Sequence, residues 1–350
     1  MKNPKSDIRT LTKLEIETFF LDHHCPRFRA SQVYDWLWKH REVSFDNMTN
    51  LSLQNRNLLK KTFHINTLFI SQESLSVDGT VKFLFSLNSD QNRVVEGVLI
   101  PQLNRLTACI SSQIGCSLAC TFCATGKLKL YRNLTAGEIY DQAFLINQHS
   151  IKNYNKPITN IVFMGMGEPL LNIKNVLMSI EHITRLGGMG MSSKRITLST
   201  VGIAKIIKSL ADKKPGFNLA ISLHSAINNK RSKIMAINET NNLKDLADSL
   251  LYFYDRTKIK PTFEYVLLNG INDSIDDAKA LVTFCKKIPS KVNLIEYNQI
   301  EDTPYQKSTE LSTNRFMEIL EKNHILAKLR RSRGEDIGAA CGQLATQNKK

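Results

Sequence analysis

The sequence lacks any apolar run long enough to cross a lipid bilayer, which argues against a helical membrane protein. Its first residues, MKNPK at 1–5, also lack the apolar segment of a secretory signal peptide. No linker rich in Pro, Gly or Ser divides the chain, and low-complexity composition is confined to the polar residues 347–350. We therefore expect a cytoplasmic globular protein of one large or two medium domains.

Acidic residues are scarce relative to basic ones. The 32 Asp and Glu stand against 47 Lys and Arg, which gives a formal net charge of +15. Such an excess attracts polyanions, and nucleic acid is the partner class whose binding depends most on phosphate neutralisation. A basic surface that serves only solubility is the alternative.

The cysteines are few but bunched. Three of the seven lie in CSLACTFC at 116–123, a pattern that in a reducing compartment favours metal binding over disulfides. A structural zinc site usually takes two separated ligand pairs, and no fourth Cys or His closely follows Cys123. Three ligands on a cubane iron–sulfur cluster leave one iron open, and this spacing resembles the signature of radical S-adenosylmethionine (SAM) enzymes. Zinc bound by these thiols with Cys109 or a distant His remains the alternative.

Changes of hydrophobic period predict an α/β fold with four parts. Residues 1–65 form a helical accessory domain that could bind RNA, and 66–104 form a β meander that links it to the rest. Six strand–helix repeats then predict a partial (β/α)6 barrel of radical SAM type over 105–334, followed by a tail at 335–350. The predicted barrel strands are 106–112, 158–164, 194–199, 217–223, 261–267 and 291–297.

Unusual residues follow the predicted strands at their carboxyl ends, where βα barrels place their chemistry. The cysteine trio follows the first strand, and the second runs into Gly165-Met-Gly-Glu168-Pro169. Ser199 ends the third strand, Ser222-Leu-His224 ends the fourth, and Asn298 follows the sixth. A lone Ser at such a point commonly caps the next helix, but the convergence of all of them predicts a binding site.

Several motifs together resemble the RlmN family of radical SAM methyltransferases, which methylate C2 of adenine in 23S rRNA and tRNA. They are CSLACTFC at 116–123, GMGEPLLN at 165–172, STVG at 199–202, SLHS at 222–225, YN at 297–298 and ACGQL at 340–344. The Cfr-type C8 methyltransferases of 23S rRNA are a sister group that tends to have Ala where this chain has Pro169. That position favours C2 as the target. A non-catalytic, zinc-stabilised RNA-binding protein is the third hypothesis.

The resemblance implies a role for each site residue. Cys116, Cys120 and Cys123 would hold a [4Fe–4S] cluster, and Glu96 would accept a proton. SAM would be contacted by Gly167, Glu168, Ser199, Ser222, Leu223, His224 and Asn298. A flavodoxin or ferredoxin would donate electrons, and we expect a monomer.

The resemblance also implies a route to an sp² carbon, which is not a nucleophile. Cys341 would take a methyl group from one SAM, and a radical made from a second SAM would activate that methyl for addition to C2. Cys109 would then release the product by forming a disulfide with Cys341. The RNA would be the peptidyl-transferase centre of 23S rRNA and the anticodon loop of tRNA. Basic runs at 328–333 and at Lys127, Lys129 and Arg132 are candidate phosphate contacts.

Overall fold

The computed structural model describes residues 5–88 and 90–345, so the predicted tail is described only as far as Ala345. The N-terminal module contains the predicted helices, α1 (Lys13–Asp22), α2 (Phe28–Trp38) and α3 (Leu53–Thr62). A capping box begins α1, in which Thr12 and Glu15 each bond the other's backbone N–H. The short strands β1 (Ser6–Asp7) and β2 (Phe63–His64) pair in parallel and close the module. Two-residue strands carry too little periodicity to be predicted.

One continuous sheet joins the meander to the barrel. Its strands are β3 (Leu68–Leu75), β4 (Val81–Leu87), β5 (Asp90–Gln102), β6 (Arg105–Cys109), β9 (Asn160–Phe163), β10 (Ile196–Thr200), β11 (Asn218–Ser222), β12 (Thr262–Leu267), β13 (Lys291–Glu296) and β14 (Ala327–Arg330). They lie in the spatial order β14-β13-β12-β11-β10-β9-β6-β5-β4-β3. From β3 to β6 the pairing is antiparallel, and from β6 to β14 it is parallel.

The sheet confirms the six predicted barrel strands and adds β14, which continues the parallel pairing beyond β13. The sequence does not predict β14, because Lys328 and Arg330 belong to a run of basic residues that hides the alternation of a strand. The meander shares hydrogen bonds with the barrel through β5 and β6, so both belong to one sheet. The bounds proposed for the four parts stay predictions.

Helices connect the parallel strands and bury their apolar sides against the sheet. They are α5 (Ala136–Tyr154), α6 (Ile173–Thr184), α7 (Ala204–Asp212), α8 (Asn228–Ile234), α9 (Leu243–Thr257), α10 (Ile275–Lys287) and α11 (Glu310–Lys322). In the part of the chain that is described, no helix is both long and apolar enough to cross a membrane. The cysteine loop, residues 115–131, lies between two paired strands, β7 (Gln113–Ile114) and β8 (Arg132–Asn133), and contains the one-turn helix α4 (Ala124–Lys127).

A buried ionic and aromatic cluster attaches the N-terminal module to the barrel. The Asp141 carboxylate on α5 accepts hydrogen bonds from Arg9 at 2.9 and 3.0 Å and from Arg41 at 2.8 Å. Beside this pair, the rings of Trp38 and His182 stack with their centroids 3.4 Å apart. Moving the N-terminal module away from the barrel would separate Arg9 and Arg41 from Asp141 and would leave buried charges unpaired. This cost holds the module in one orientation.

His182 makes stability depend on pH. Burial, together with the nearby Arg185 and Arg9 cations, lowers its pKa to about 3, so the folded protein keeps the ring neutral. The unfolded chain takes up a proton near pH 6.5, and stability therefore falls as the pH drops below that value towards 3. Between pH 7.5 and 5.5 we expect His182 alone to cost about 1.4 kcal/mol of unfolding free energy.

The test is urea unfolding of the cluster-free protein at both pH values, with wild type compared with His182→Phe. The unfolding free energy of wild type minus that of His182→Phe should fall by about 1.4 kcal/mol between pH 7.5 and pH 5.5. The exposed His40 provides the control variant His40→Phe, which should behave as wild type. Equal pH dependence in wild type and His182→Phe would contradict the assignment.

Candidate active site at the carboxyl ends of the strands

One cavity opens at the carboxyl ends of the parallel strands. Nine of the residues singled out from the sequence line it: Cys116, Cys120, Cys123, Gly167, Glu168, Ser199, Ser222, His224 and Cys341. The four others, Glu96, Cys109, Leu223 and Asn298, lie behind this lining or beside it. The cavity therefore brings the cysteine trio, four strand ends and the tail thiol together.

Tight backbone packing holds the cysteine loop in shape. Gly115 has φ +76°, and a Cβ there would lie 2.1 Å from the Lys129 carbonyl oxygen. A Cβ on Gly126 would lie 2.6 Å from the Cys120 carbonyl oxygen. The loop thus requires glycine at both points. This tight path allows the three thiols of residues 116–123 to face the same cavity.

The three thiols need a bound cation to ionise. Burial raises the pKa of each, and the neighbouring thiols raise that of Cys120 further. Backbone N–H groups of the loop partly favour the Cys116 and Cys123 thiolates. Within residues 5–88 and 90–345, no group of three or more His, Cys, Asp or Glu is arranged to hold a single metal ion. In a cubane cluster, by contrast, each thiolate binds a different iron.

Glu168 links the ends of two strands. Its carboxylate accepts from the Leu170 N–H at 2.9 Å and from the Val201 N–H at 3.0 Å. Burial raises its pKa, although these bonds and the Thr200 hydroxyl oppose the shift. Gly167 has φ +93°, and a Cβ there would lie 2.4 Å from Gln113 Cβ, so only glycine allows this approach.

His224 faces the cavity as a neutral imidazole. Its Nδ1 accepts from the Val266 N–H at 3.0 Å, which leaves Nε2 as the protonated nitrogen. Burial, with a smaller effect of Arg231, lowers its pKa to about 3. The Phe122 ring contacts it edge-on at 4.7 Å, and so the cysteine loop packs directly on the end of β11.

Arg231 on α8 supports this region and was missed in the sequence. Its buried guanidinium donates to the carbonyls of Val201 at 2.7 Å, Leu223 at 3.0 Å and Ser222 at 3.3 Å. Leu223 is fully buried and contributes through this carbonyl rather than through its side chain. Nothing in the polar stretch NNKRSKI marks Arg231 as buried.

The tail lies across the cysteine loop and delivers Cys341 to the cavity. Asn298 Nδ2 donates to the Cys341 carbonyl at 3.1 Å, and Gln343 Nε2 donates to the Gln299 carbonyl at 3.2 Å. On the other side, the Ala124 N–H donates to Gly342 at 2.7 Å and the Thr125 hydroxyl donates to Leu344 at 2.5 Å. Asn298 thus contacts the tail in this structure.

Cys109 and Cys341 are a neighbouring pair of free thiols. Burial raises the pKa of Cys109 to about 12, with a further contribution from Cys341. Cys341 is an exposed residue, but its side chain lines the cavity, where desolvation of the thiol raises its pKa to about 11. The Arg330 cation lowers both pKa values and so favours both thiolates. All seven cysteines fall in the described residues and all are free, so the implied disulfide is not formed here.

Two buried carboxylates complete the surroundings. Glu96 on β5 lies 3.6 Å from Lys82 Nζ and receives the Ala345 N–H, so the tail covers it. Burial raises its pKa, which the Lys82 cation opposes. Glu264 on β12 lines the cavity and accepts from Asn293 at 2.8 Å and Arg330 at 3.4 Å. The acid inside the apolar strand TFEYVL is the sequence signal that could identify Glu264 as a site residue.

Comparison with known proteins shows the family. The model described as "Ribosomal RNA large subunit methyltransferase N-terminal domain" matches residues 6–65, and that of the radical SAM superfamily matches 110–282. A "Probable dual-specificity RNA methyltransferase RlmN" from Christiangramia forsetii is 50% identical over 348 residues, which cover 99% of this chain and 98% of that protein. The chain belongs to the RlmN family. A Cytophaga hutchinsonii relative with the same description is 51% identical, over 99% of this chain and 94% of its own.

A solved structure supports the fold over nearly the whole length. The crystal structure of a radical SAM methyltransferase from Sphaerobacter thermophilus superposes with a TM-score of 0.88 at 35% identity, covering 97% of this chain and 99% of that one. The RlmN resemblance, the radical SAM fold and the RNA methyltransferase activity are thereby confirmed, and the RlmN assignment is favoured over the Cfr-type alternative. Membership implies a [4Fe–4S] cluster and SAM as cofactors.

Proposed function

We propose that this enzyme methylates C2 of adenosine in 23S rRNA at the peptidyl-transferase centre, and in the anticodon loop of tRNA, in the cytoplasm. The observation that carries the proposal is the position of Cys341, which lies in the same cavity as the cysteine trio and the polar strand ends. The descriptions of the relatives as dual-specificity RNA methyltransferases support two classes of RNA substrate. A flavodoxin or ferredoxin would supply electrons to the monomeric enzyme.

The residues of the cavity suit both cofactors. Thiolates of Cys116, Cys120 and Cys123 would bind three irons, which leaves one iron for SAM. When bound, the cluster and SAM supply a hydrogen-abstracting radical, and SAM also supplies the methyl group. Gly167 and the extended Glu168 present backbone groups at the end of β9, while Ser199, Ser222 and His224 line the cavity from the neighbouring strands. Asn298 would contact SAM once its bond to the Cys341 carbonyl opens.

Cys341 would carry the one-carbon unit. Its thiolate attacks the sulfonium-bound methyl, so a C–S bond forms on the protein as the bond in SAM breaks. The positive sulfonium would favour this thiolate, whose pKa burial otherwise raises to about 11. After that methyl has lost one hydrogen atom to the radical that SAM would supply, its carbon would add to adenine C2. The adduct would join protein to RNA and would hold one unpaired electron.

Product release would use Glu96 and Cys109. Glu96 would take the proton from C2, and its raised pKa suits it to hold that proton. The Cys109 thiolate would attack the Cys341 sulfur, so that an S–S bond forms as the C–S bond to the product breaks. The released carbon would take up a proton to become the methyl group, and the unpaired electron of the adduct would pass to the oxidised cluster. Because Ala345 covers Glu96 in this structure, the end of the tail must shift before Glu96 can face the RNA base.

The RNA would meet a basic rim beside the tail. Lys328 and Arg331 are exposed there and are available to phosphates, whereas the exposed Arg333 lies 3.9 Å from the Asp78 carboxylate. Of the second predicted run, Lys127 donates to the Glu301 and Asp302 carbonyls, and Arg132 pairs with Glu138 at 2.7 Å. We therefore assign phosphate contacts to the first run and to Lys129. Base extrusion would bring the target adenine into the cavity.

The test is mass spectrometry of nucleosides from 23S rRNA and tRNA after anaerobic reaction with the reconstituted enzyme, SAM and a reductant. We expect 2-methyladenosine in both RNA classes. Formation of 8-methyladenosine would replace this proposal by the Cfr-type activity. Absence of a methylated adenosine from one class would remove that class from the substrates.

A further inference from the structure

A turn of the meander holds the base of the tail. Asp336 accepts from the Ser76 hydroxyl at 2.6 Å and from the Val77 N–H at 3.2 Å. Asp78 in the same turn accepts from the Gly334 N–H at 3.0 Å. We call these three hydrogen bonds, between residues 76–78 and 334–336, the tail clamp. It connects parts of the chain that are about 260 residues apart and touches none of the cofactor-binding residues.

The local geometry shows that the clamp is built into both segments. Gly334 and Gly338 have φ of +67° and +62° and flank a short 3-10 turn, Glu335–Ile337. A Cβ on Gly334 would lie 2.8 Å from Thr80 Cγ2, so the close approach of the tail requires glycine. The hydrogen bond from Ser76 lowers the pKa of Asp336, so the clamp is ionised and charge-assisted at neutral pH.

The clamp limits how far Cys341 can travel. Cys341 lies five residues after Asp336, a segment that spans at most about 18 Å when fully extended. Without the clamp, the last strand pairing before Cys341 is at Arg330, eleven residues away. When the two long bonds at 3.4 Å, from Ser332 to Glu296 and from Lys82 to Gly338, also open, the limit rises to about 40 Å. Effective concentration falls roughly as the −3/2 power of tether length, so the longer tether lowers it about threefold.

We propose that Ser76, Asp78 and Asp336 are positioning residues that keep the Cys341 thiol within reach of both the cavity and Cys109. The reaction that this positioning serves rests on the proposed function, whereas the anchoring itself does not. The farther contacts of the tail, from Ala124, Thr125 and Asn298, can then open and close while its base stays fixed.

The experiment compares Ser76→Ala/Asp78→Ala/Asp336→Ala, which removes every side-chain partner of the clamp, with wild type as full-length, anaerobically reconstituted enzyme. Hydrogen exchange followed by mass spectrometry should show faster exchange over 334–345, including the Ala339 amide that bonds the Gly334 carbonyl. In a glutathione redox buffer, oxidised glutathione and the two thiols give the Cys109–Cys341 disulfide and two reduced glutathiones. The effective concentration of this thiol pair should fall about threefold in the variant.

Two variants control for unrelated effects. Ser71→Ala removes a hydroxyl from β3, the strand that precedes the clamp turn. Ser71 donates to the Leu84 carbonyl rather than to the tail, so this variant should match wild type. Ser76→Thr, made as a single change in the wild-type chain, keeps the hydroxyl that bonds Asp336. It should retain most of the wild-type effective concentration of the Cys109–Cys341 thiol pair. Unchanged exchange, or faster exchange with an unchanged thiol equilibrium, would overturn the proposal. Failure of wild type to methylate RNA would overturn the proposed function instead, because neither readout depends on methylation.

Discussion

Replacement of Cys341 by alanine is expected to abolish methyl transfer to RNA, by at least about 10³-fold, and to leave no methyl thioether on the protein. Adenine C2 is not a nucleophile, so the methyl group needs a carrier, and Cys341 is the thiol outside the cysteine trio that lines the cavity. The measurement is anaerobic turnover with methyl-labelled SAM, followed by mass spectrometry of both the tail peptide and the digested RNA.

The same variant should keep its iron and sulfide and should still cleave SAM to 5′-deoxyadenosine, because the cysteine loop is unchanged. Cys285→Ala, which removes a buried thiol from α10 outside the cavity lining, is the matched control and should methylate RNA as wild type does. Product formation by Cys341→Ala at a rate near that of wild type would exclude the methyl-carrier role.

Cys120→Ala should remove the iron–sulfur centre and with it every SAM-dependent step. With one of its three ligands lost, the cluster is not retained by the loop, and both SAM cleavage and RNA methylation should fall below detection. Iron and sulfide analysis, the visible absorption spectrum and the yield of 5′-deoxyadenosine measure this loss. Again Cys285→Ala is the control. A Cys120→Ala protein with a full complement of iron and sulfide would show that this thiol is not a ligand.

Much of the site could be predicted because its residues form local motifs. The cysteine trio, GMGEP and SLHS each lie at the end of a predicted strand, and parallel strands bring their carboxyl ends to the same side of the sheet. The strands themselves are buried on both faces and give clear apolar runs, so all six were found.

The features that sequence could not show depend on partners distant in the chain. Arg231 is buried only because carbonyls from β10 and β11 surround it, and no local pattern marks this environment. Likewise, Ser76 and Asp336 meet only when the tail folds back on the meander. Lys127 and Arg132 have the charge expected for RNA contacts, but backbone carbonyls and Glu138 engage them within the protein.

The buried contact between Arg9 and Asp141 has a consequence for the choice of RNA. The buried contact fixes the orientation of the N-terminal helices relative to the barrel. If these helices bind the stem of an RNA, the distance from that stem to the cavity is therefore constant. The enzyme would then select RNA by the distance between its stem and its target adenine. Any hairpin whose unpaired adenine projects by that length would be accepted, whichever of the two proposed RNA classes it belongs to.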